Sequence, residues 1–284
     1  MHLKKHTRYP QITTLLTAIA LASPLTAEEA PPVYDLDESV VVSTRTPLGR
    51  ERTSPSVDFI SADAISFWQN RSLVDVLDQQ PGMTLIRAGA TGAQTSLFTR
   101  GTESNHTGFF LDGRRLNTGF GNQYDLELLS TENLGSVQVQ RGASSVNYGS
   151  SGIGGVIDLR TRNSVAANES SGSVAVEIGS NDYRRGAIDY LFTDENFGFS
   201  VSGSRLTTDN ERPNDGYEKT AVTPRIDYKL ADNLYFEVLG QFIDTEKELP
   251  GSTAAPTTNR LQENTNYLVS PGLRYLTDEL SVHF

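Results

Sequence analysis

The feature that most constrains the fold is an alternation of apolar and polar residues that begins near Ser171 and recurs through the rest of the sequence. A period of two indicates β-strands with one face in an apolar medium and the other in water. Its repetition over segments of about ten residues is typical of transmembrane β-barrels, although a soluble β-sandwich alternates as well. In the clearest segment the apolar positions are Val222, Pro224, Ile226, Tyr228 and Leu230, and the polar positions are Thr223, Arg225, Asp227 and Lys229.

The connections between these segments favour the barrel. Three short turns resemble one another, at Phe192–Asn196, Leu230–Asn233 and Leu276–Glu279, whereas the polar connections Thr207–Lys219 and Thr245–Thr265 are longer. Short turns at one end and long loops at the other are the arrangement of outer-membrane barrels. We count about seven strands in 164–284, and since such barrels close with an even number, we expect the chain to be truncated.

The N-terminus has the pattern of a secretory signal peptide. Lys4 and Lys5 give a basic start, and Ile12–Ala22 is an apolar run of 11 residues, too short to span a bilayer as a helix. Small residues follow, and we predict cleavage after Ala27, which assigns 1–27 to the signal peptide. The alternative is a buried N-terminal helix. Residues 28–55 begin with an acidic, proline-containing stretch that we interpret as a flexible leader.

Composition excludes several classes of function. The net charge of −11 argues against a nucleic-acid surface, which needs clustered Lys and Arg. The chain has no Cys, which excludes thiol catalysis and thiolate-bound zinc. His106 and Asp112 could be taken for an acid/base pair, but Asp112-Gly113 has the composition of a tight turn. We find no nucleophile elbow or metal-ligand motif, and we predict neither an enzyme nor a bound cofactor.

Residues 56–163 predict a small α+β domain, rich in loops. Ser72 with Asp75 forms a capping-box pattern for one helix, which Pro81-Gly82 ends. The segment Arg141–Gly155 contains several glycines that suit positive φ. The predicted strands are Val57–Ile60, Met83–Arg87, Ser96–Arg100, Gly108–Leu111, Val137–Gln140 and Val156–Arg160, and the predicted helical segments are Ala62–Gln69, Leu73–Gln79 and the short turn Thr131–Leu134.

Several motifs in residues 38–163, in this order, resemble those of TonB-dependent outer-membrane receptors, and in this half the chain is most similar to the cobalamin (vitamin B12) transporter group. The resemblance implies an α+β plug domain inside an antiparallel transmembrane β-barrel of roughly 22 strands. The motifs are ESVVVSTR at Glu38–Arg45, SLVDVLDQQPG at Ser72–Gly82, FTRGT at Phe98–Thr102, FLDGRRLN at Phe110–Asn117, VQRGASSVNYG at Val139–Gly149 and IGGVI at Ile153–Ile157.

The first of these motifs resembles the Ton box, the segment that adds as a strand to the periplasmic protein TonB. Strand pairing suits a partner that must capture and pull, because main-chain hydrogen bonds supply the strength. Three consecutive valines favour the extended state. The resemblance thus implies uptake of a scarce nutrient, driven by the TonB complex, by a monomer in the outer membrane of a Gram-negative bacterium. The Ton-box residues are Glu38, Ser39, Val40, Val41, Val42 and Ser43.

The resemblance also implies where the plug binds ligand and the barrel. Arg100 and Arg141 occupy the two Arg-Gly positions that in the family pair with glutamates of the barrel, and a buried arginine needs such a partner. Two loops would face outward, Arg87–Thr95 and Thr118–Tyr124, and Phe120 and Tyr124 could stack on a flat ligand. The ligand-facing residues that we predict are Arg87, Thr91, Gln94, Phe120, Asn122, Gln123 and Tyr124.

The cargo stays open at this point. Cobalamin or a related corrinoid follows from the motifs, and a ferric siderophore is the alternative. Asp209, Asn210, Asp215 and Glu218 suggest calcium in an outer loop, but their spacing is not that of a calcium site, and we assign no metal. A non-transporting signalling receptor is a rival from another class, although such receptors usually have an extra domain before the Ton box. A secreted enzyme is a third alternative, which the barrel pattern disfavours.

Overall fold

The computed structural model describes residues 57–117, 121, 124–162, 168–276 and 281–283, with the backbone pairing of residues 39–40 and 48–49. The predicted signal peptide and most of the leader lie outside these residues. In the described part of the chain, no helix is long and apolar enough to cross a membrane. Two bodies of structure follow one another along the chain, an α+β domain and a large antiparallel sheet.

The α+β domain, which we call the plug domain, is built on strands that form one larger sheet and two hairpins. The described strands up to its end are β1 Ser39–Val40, β2 Leu48–Gly49, β3 Val57–Ser61, β4 Met83–Arg87, β5 Thr95–Thr99, β6 Thr107–Leu111, β7 Arg114–Arg115, β8 Leu134–Arg141 and β9 Gly155–Thr161. Among them, five strands form a sheet in the order β3-β8-β9-β6-β7. Strands β6 and β9 run parallel, although they are far apart in sequence, and the other pairs of this sheet are antiparallel. Strands β4 and β5 form a separate hairpin.

In the part of the plug domain that the structure describes, three short α-helices accompany the strands: α1 Ala62–Phe67, α2 Leu73–Asp78 and α3 Ser145–Tyr148. Helix α2 begins with the predicted capping box, in which the Ser72 hydroxyl accepts from the Asp75 amide and the Asp75 carboxylate accepts from the Ser72 amide. Four of its six residues are buried, because its apolar side chains pack into the core of the domain. Short 3-10 helices lie at Ser104–His106, Leu126–Leu128 and Gly149–Gly152.

The large sheet, which we call the wall, has seven strands within the described residues, and they pair antiparallel in sequence order. Its apolar residues face outward as the alternation predicts: Ile226 and Tyr228 are 39% and 47% exposed, whereas Arg225 and Asp227 are each 2% exposed, facing the plug domain. The strands are β10 Glu169–Ile178, β11 Arg184–Thr193, β12 Phe197–Thr208, β13 Tyr217–Ala231, β14 Leu234–Glu248, β15 Leu261–Leu276 and β16 Ser281–His283.

Three local predictions in the plug domain were wrong. The helical turn expected at Thr131–Leu134 is absent, because Asn133 adopts a left-handed φ of 63° and the helical turn lies earlier, at Leu126–Leu128. Helix α3 was missed, since the glycines around it favour a loop. Arg100 was placed in a strand, but it lies in the turn after β5 with a φ of 50°.

Candidate functional site

A cavity of about 950 Å³ lies between the plug domain and the long wall loops. The loop between β4 and β5 forms its plug side, and the predicted ligand-facing residues Arg87, Thr91 and Gln94 all line it. Phe120, Asn122 and Gln123 lie outside the described residues. The Tyr124 ring packs 5.8 Å from the ring of Phe109 at the edge of the plug core, and Tyr124 is not among the residues lining this cavity.

A buried carboxylate forms part of the cavity lining. Glu127 makes an ion pair with Arg87 at 2.7 Å and accepts a hydrogen bond from the Thr95 hydroxyl at 3.1 Å. Burial raises the pKa of Glu127, and Arg87 only partly offsets that effect. Burial likewise raises the pKa of Asp125, which accepts from the amide of Thr95. The 3-10 helix at Leu126–Leu128 places both acids beside the start of β5.

The outer end of the β4–β5 loop is tied to the wall at one carbonyl. The Thr91 carbonyl accepts hydrogen bonds from Lys247 Nζ and from Asn210 Nδ2, both at 3.1 Å. Lys247 is itself buried and pairs with Asp215 at 2.7 Å. Gly92 follows with a φ of 83°, and a Cβ there would lie 2.2 Å from the Tyr217 ring. The cavity floor is therefore held by wall residues as well as by the plug domain.

Deeper in the interface, Arg225 of β13 is shared by three carboxylates. It lies 2.7 Å from Asp112 of the plug domain, 2.7 Å from Asp227 and 3.0 Å from Glu237. The Thr161 hydroxyl donates to Asp112 and accepts from Arg225. Burial raises the pKa of Asp112, but Arg225, Arg160 and the hydrogen bonds from Thr161 outweigh it and hold that pKa below its ordinary value. Arg225 thus joins an acid of the plug domain to two acids of the wall, and this network docks one body on the other.

Two further plug residues dock on the wall through charges. Arg114, after the Asp112-Gly113 turn, makes an ion pair with Glu237 at 2.7 Å and donates to the Ser270 hydroxyl. Glu132 pairs with Arg185 of β11.

The ion pair between Glu132 and Arg185 is extended by two further pairs to the start of helix α2. Arg185 also pairs with Glu177 at 2.7 Å, and Glu177 pairs with Arg71 of the plug domain at 2.5 Å. The result is a chain of alternating charges that links the plug domain to β10 and β11.

The two arginines that the sequence predicts for docking, Arg100 and Arg141, are not part of the ion pairs between the plug domain and the wall. Arg141 pairs with Asp58 at 2.8 Å and donates to the Pro81 carbonyl at 2.6 Å, so its partners here are within the plug domain. Arg100 is exposed and makes no ion pair within the described residues. Their pairing with barrel glutamates stays a prediction. The sequence signal that we missed was Arg225, a charge on the inward face of an alternating strand.

Of the predicted Ton box, Ser39 and Val40 are described, and they pair antiparallel with Leu48–Gly49. Glu38, Val41, Val42 and Ser43 lie outside the described residues. Within the described ranges, no group of three or more acidic or histidine side chains is arranged to hold a metal ion. Asp209 and Asn210 lie instead beside β12, where Asp209 donates its amide to the Asn181 carbonyl at 2.8 Å.

Comparison with known proteins identifies both parts of this fold. The family model of the TonB-dependent receptor plug domain matches residues 50–156. The ferripyoverdine receptor of Pseudomonas aeruginosa superposes with a TM-score of 0.68 at 17% identity, over 84% of this chain and 34% of that one. The siderophore receptor PiuA of Acinetobacter baumannii superposes with a TM-score of 0.63 at 22% identity, over 82% of this chain and 35% of that one.

A third solved structure, the ferric enterobactin receptor of Pseudomonas aeruginosa, gives a TM-score of 0.62 at 18% identity, over 80% of this chain and 39% of that one. The chain thus spans little more than a third of the length of these receptors. All three are named for siderophores, so the comparisons do not support the predicted cobalamin group.

The outward apolar face of the wall and the plug match agree on location. An apolar outer face and a polar inner one are what a sheet needs when lipid lies outside and a hydrated interior lies within. Residues 50–156 therefore match the plug domain of TonB-dependent receptors, and the chain has the fold of such a plug followed by the first strands of a barrel, a fold of the outer membrane of Gram-negative bacteria.

Proposed function

We propose that this chain belongs to a receptor that takes up a ferric siderophore through the outer membrane, driven by TonB. The observation that supports it best is the cavity of about 950 Å³, which the plug loop and the long wall loops build together. That volume suits a ligand of siderophore size, since pockets for such molecules are typically several hundred cubic ångströms or more. The receptors of similar fold are named for siderophores.

The plug side of the cavity supports a role in signalling that a ligand is bound in the cavity. Thr91 belongs to the plug domain but is held by Lys247 and Asn210 of the wall, so a ligand that contacts this loop touches both bodies. Coupling between sites requires a group whose contacts differ between two states, and we expect the contacts of the Thr91 carbonyl to change when a ligand binds. The Ton box at Glu38–Ser43 then recruits TonB by strand addition. The receptor acts as a monomer, and no covalent chemistry is part of the function.

Uptake of labelled compounds tests this function. Cells that express the intact protein and lack their other siderophore receptors are given ⁵⁵Fe complexes of a catecholate, a hydroxamate and a pyoverdine, and separately ⁵⁷Co-cyanocobalamin. We expect uptake of one iron complex that stops when a protonophore collapses the proton gradient. Uptake of cyanocobalamin alone would restore the corrinoid alternative. Binding of an iron complex without uptake in energised cells would favour a signalling receptor, and no binding at all would refute the proposal.

A matched pair of variants assigns the uptake to the cavity. Lys247→Met removes the charge that holds the Thr91 carbonyl and Asp215 but keeps a long side chain, and we expect weaker binding of the iron complex. Lys229→Met, at the opposite end of the wall beside the exposed Asp232, makes the same chemical change away from the cavity. Equal binding by both variants would contradict the assignment of the cavity.

A further inference from the structure

Three cavities follow one another down the interface between the plug domain and the wall. The outer cavity shares Arg87, Thr91, Glu127 and Tyr217 with a second cavity of about 180 Å³. The second shares Ser130, Glu132 and Ser204 with a third of about 20 Å³. Because each cavity shares lining residues with the next, they form one interrupted path, which we call the seam.

The inward face of β13 explains why the seam exists. Its side chains from the outer end inward are Tyr217, Lys219, Ala221, Thr223 and Arg225, spaced by the two-residue period of the strand. The small residues Ala221 and Thr223 lie between large ones and leave the space of the third cavity. On the neighbouring strand β12, the paired positions are also small: Ser204 lies opposite Ala221, and Ser202 lies opposite Thr223.

Ion pairs lie at the places where the cavities meet. Arg87 and Glu127 lie between the first and second cavities, 2.7 Å apart. Glu132, paired with Arg185, lies between the second and third. Below the third cavity, Thr161 at its lining contacts Asp112 and Arg225, which is 2% exposed. Ion pairs therefore lie at both junctions of the seam, and apart from Glu132 the third cavity is lined by hydroxyls, the Gln241 amide and apolar side chains.

Polar contacts of this kind can separate at lower cost than an apolar core can. Water replaces the hydrogen bonds of a polar interface, so the net loss per bond is small when both partners become hydrated. The apolar contact between the bodies is limited in comparison: Leu239 of β14 is the buried wall residue in the plug core cluster, with Leu268 packed against it. Ser202 and Ser204 of β12 contribute hydroxyl groups to the lining of the third cavity.

We propose that the seam along β12 and β13 is the route by which the transported complex passes the plug domain, with the Glu132–Arg185 pair as its inner gate. This inference rests on the proposed function and adds the side of the barrel on which the path opens. Tension from TonB separates the two bodies along the seam, hydrates Glu132 and Arg185, and joins the second and third cavities. The plug core, which packs around β8 and β9, stays folded meanwhile.

Site-directed labelling tests the route, and the absence of cysteine makes every introduced thiol in this chain unique. Ser204→Cys and Thr223→Cys place thiols in the seam, where Ser204 lines two cavities and Thr223 the third. Ser136→Cys is the matched control, because Ser136 is 6% exposed in strand β8 of the plug domain and lines none of the three cavities. Labelling by a membrane-impermeant maleimide is followed in cells with and without a protonophore.

We expect an intact proton gradient to speed labelling of both seam thiols several-fold and to leave Ser136→Cys unchanged. Equal acceleration at Ser136→Cys would mean that the plug domain unfolds as a whole, and no acceleration in the seam would mean that the path opens elsewhere; either result overturns the proposal. The ⁵⁵Fe uptake assay is run on the same cells. Uptake without seam labelling refutes only the route, whereas the absence of energised uptake of any complex refutes the proposed function.

A filling substitution provides a second measurement. Ala221→Leu adds bulk to the narrowest cavity, and Ala221→Ser is its small matched control. We expect the leucine variant to slow uptake of the ⁵⁵Fe complex identified by the panel several-fold, with binding at the cell surface unchanged. Unchanged uptake by a leucine variant that binds normally would overturn the route along this strand.

Discussion

The carboxylate of Asp112 and the guanidinium of Arg225 lie 2.7 Å apart, although 113 positions separate them in the sequence. Asp112 belongs to a tight turn of the plug domain, with a φ of 49°, and Arg225 to the inward face of β13. Thr161 bonds to both and fixes their geometry. One pair of side chains thus connects a local turn to the wall, and the contact lies where neither charge reaches bulk water.

Removal of Arg225 should strongly destabilise the docked state. Arg225→Ala takes away the cation that Asp112, Asp227 and Glu237 share, and breaking a buried pair of this kind costs roughly 3–5 kcal/mol. Arg205→Ala is the control, because its pair with Glu218 is exposed and such pairs are worth about 0–1 kcal/mol. Urea unfolding of the intact protein in detergent measures both. Similar losses for the two variants would contradict the importance of the buried network.

Replacement of Asp112 should give a pH-dependent loss. The pKa of Asp112 in the folded protein is below its ordinary value of 3.8, so its ionised form stabilises the fold. That stabilisation is fully present above the ordinary pKa and is lost as the pH falls through the lower pKa of the folded protein. We expect Asp112→Asn to lose roughly 3 kcal/mol at neutral pH and to approach the wild type in strong acid.

Thermal unfolding of both proteins across the pH range measures this difference. Asp232→Asn is the matched control, since that carboxylate is 98% exposed. A gap between wild type and Asp112→Asn that stays constant down to the most acidic pH would show that the charge of Asp112 is not responsible.

A methyl group at Gly92 should displace the ligand-facing loop. Gly92→Ala combines a left-handed φ of 83° with a Cβ only 2.2 Å from the Tyr217 ring. Gly101→Ala is the control, because Gly101 has a similar φ of 80° but no atom within 4 Å of the added Cβ. The free energy of unfolding of the control should fall by about 1–2 kcal/mol, which is the cost of the left-handed backbone alone. That of Gly92→Ala should fall distinctly more, because the clash is added.

Binding of the iron complex identifies the cause. We expect Gly92→Ala to bind more weakly than Gly101→Ala, with partial recovery in the double variant Gly92→Ala/Tyr217→Ala, which removes the obstructing ring. Failure of the second substitution to recover any binding would rule out the clash as the reason.

Proline in the Ton box should abolish uptake but leave binding intact. Val41→Pro removes a backbone N–H from the strand that is expected to pair with TonB. Val41→Ala keeps that donor and should retain most of the activity. Uptake and surface binding of the ⁵⁵Fe complex are compared in the same cells, and normal uptake by the proline variant would refute the assignment of Glu38–Ser43 as the Ton box.

Much of the fold could be predicted from the sequence because its signals are local. The period of two in β13 puts Ile226 outward and Arg225 inward without any knowledge of the partner strands. The capping box at Ser72 and Asp75 acts within four residues, and the Asp112-Gly113 turn depends on two left-handed residues. Such features are determined by neighbours in the chain, so they can be found from the sequence alone.

Contacts between segments far apart in the sequence could not be predicted in the same way. Parallel pairing of β6 with β9 and the ion pair between Glu132 and Arg185 join segments far apart in sequence. The alternation in the sequence predicts that the charge of Arg225 faces inward. Its partner in the plug domain depends on how the plug domain is oriented against the wall, which the sequence pattern does not give. The motif arginine Arg141 shows the same limit, because its partners Asp58 and Pro81 lie within the plug domain.

The bonds from Thr161 to Asp112 also bear on the order in which the molecule assembles. Both residues belong to the plug domain, and the Thr161 amide and hydroxyl orient the carboxylate without help from the wall. A plug domain that has folded first therefore presents a fixed anion to an incoming strand. Arg225 of β13 meets an anion whose position the plug domain alone determines. One half of this docking contact is therefore preformed in the plug domain.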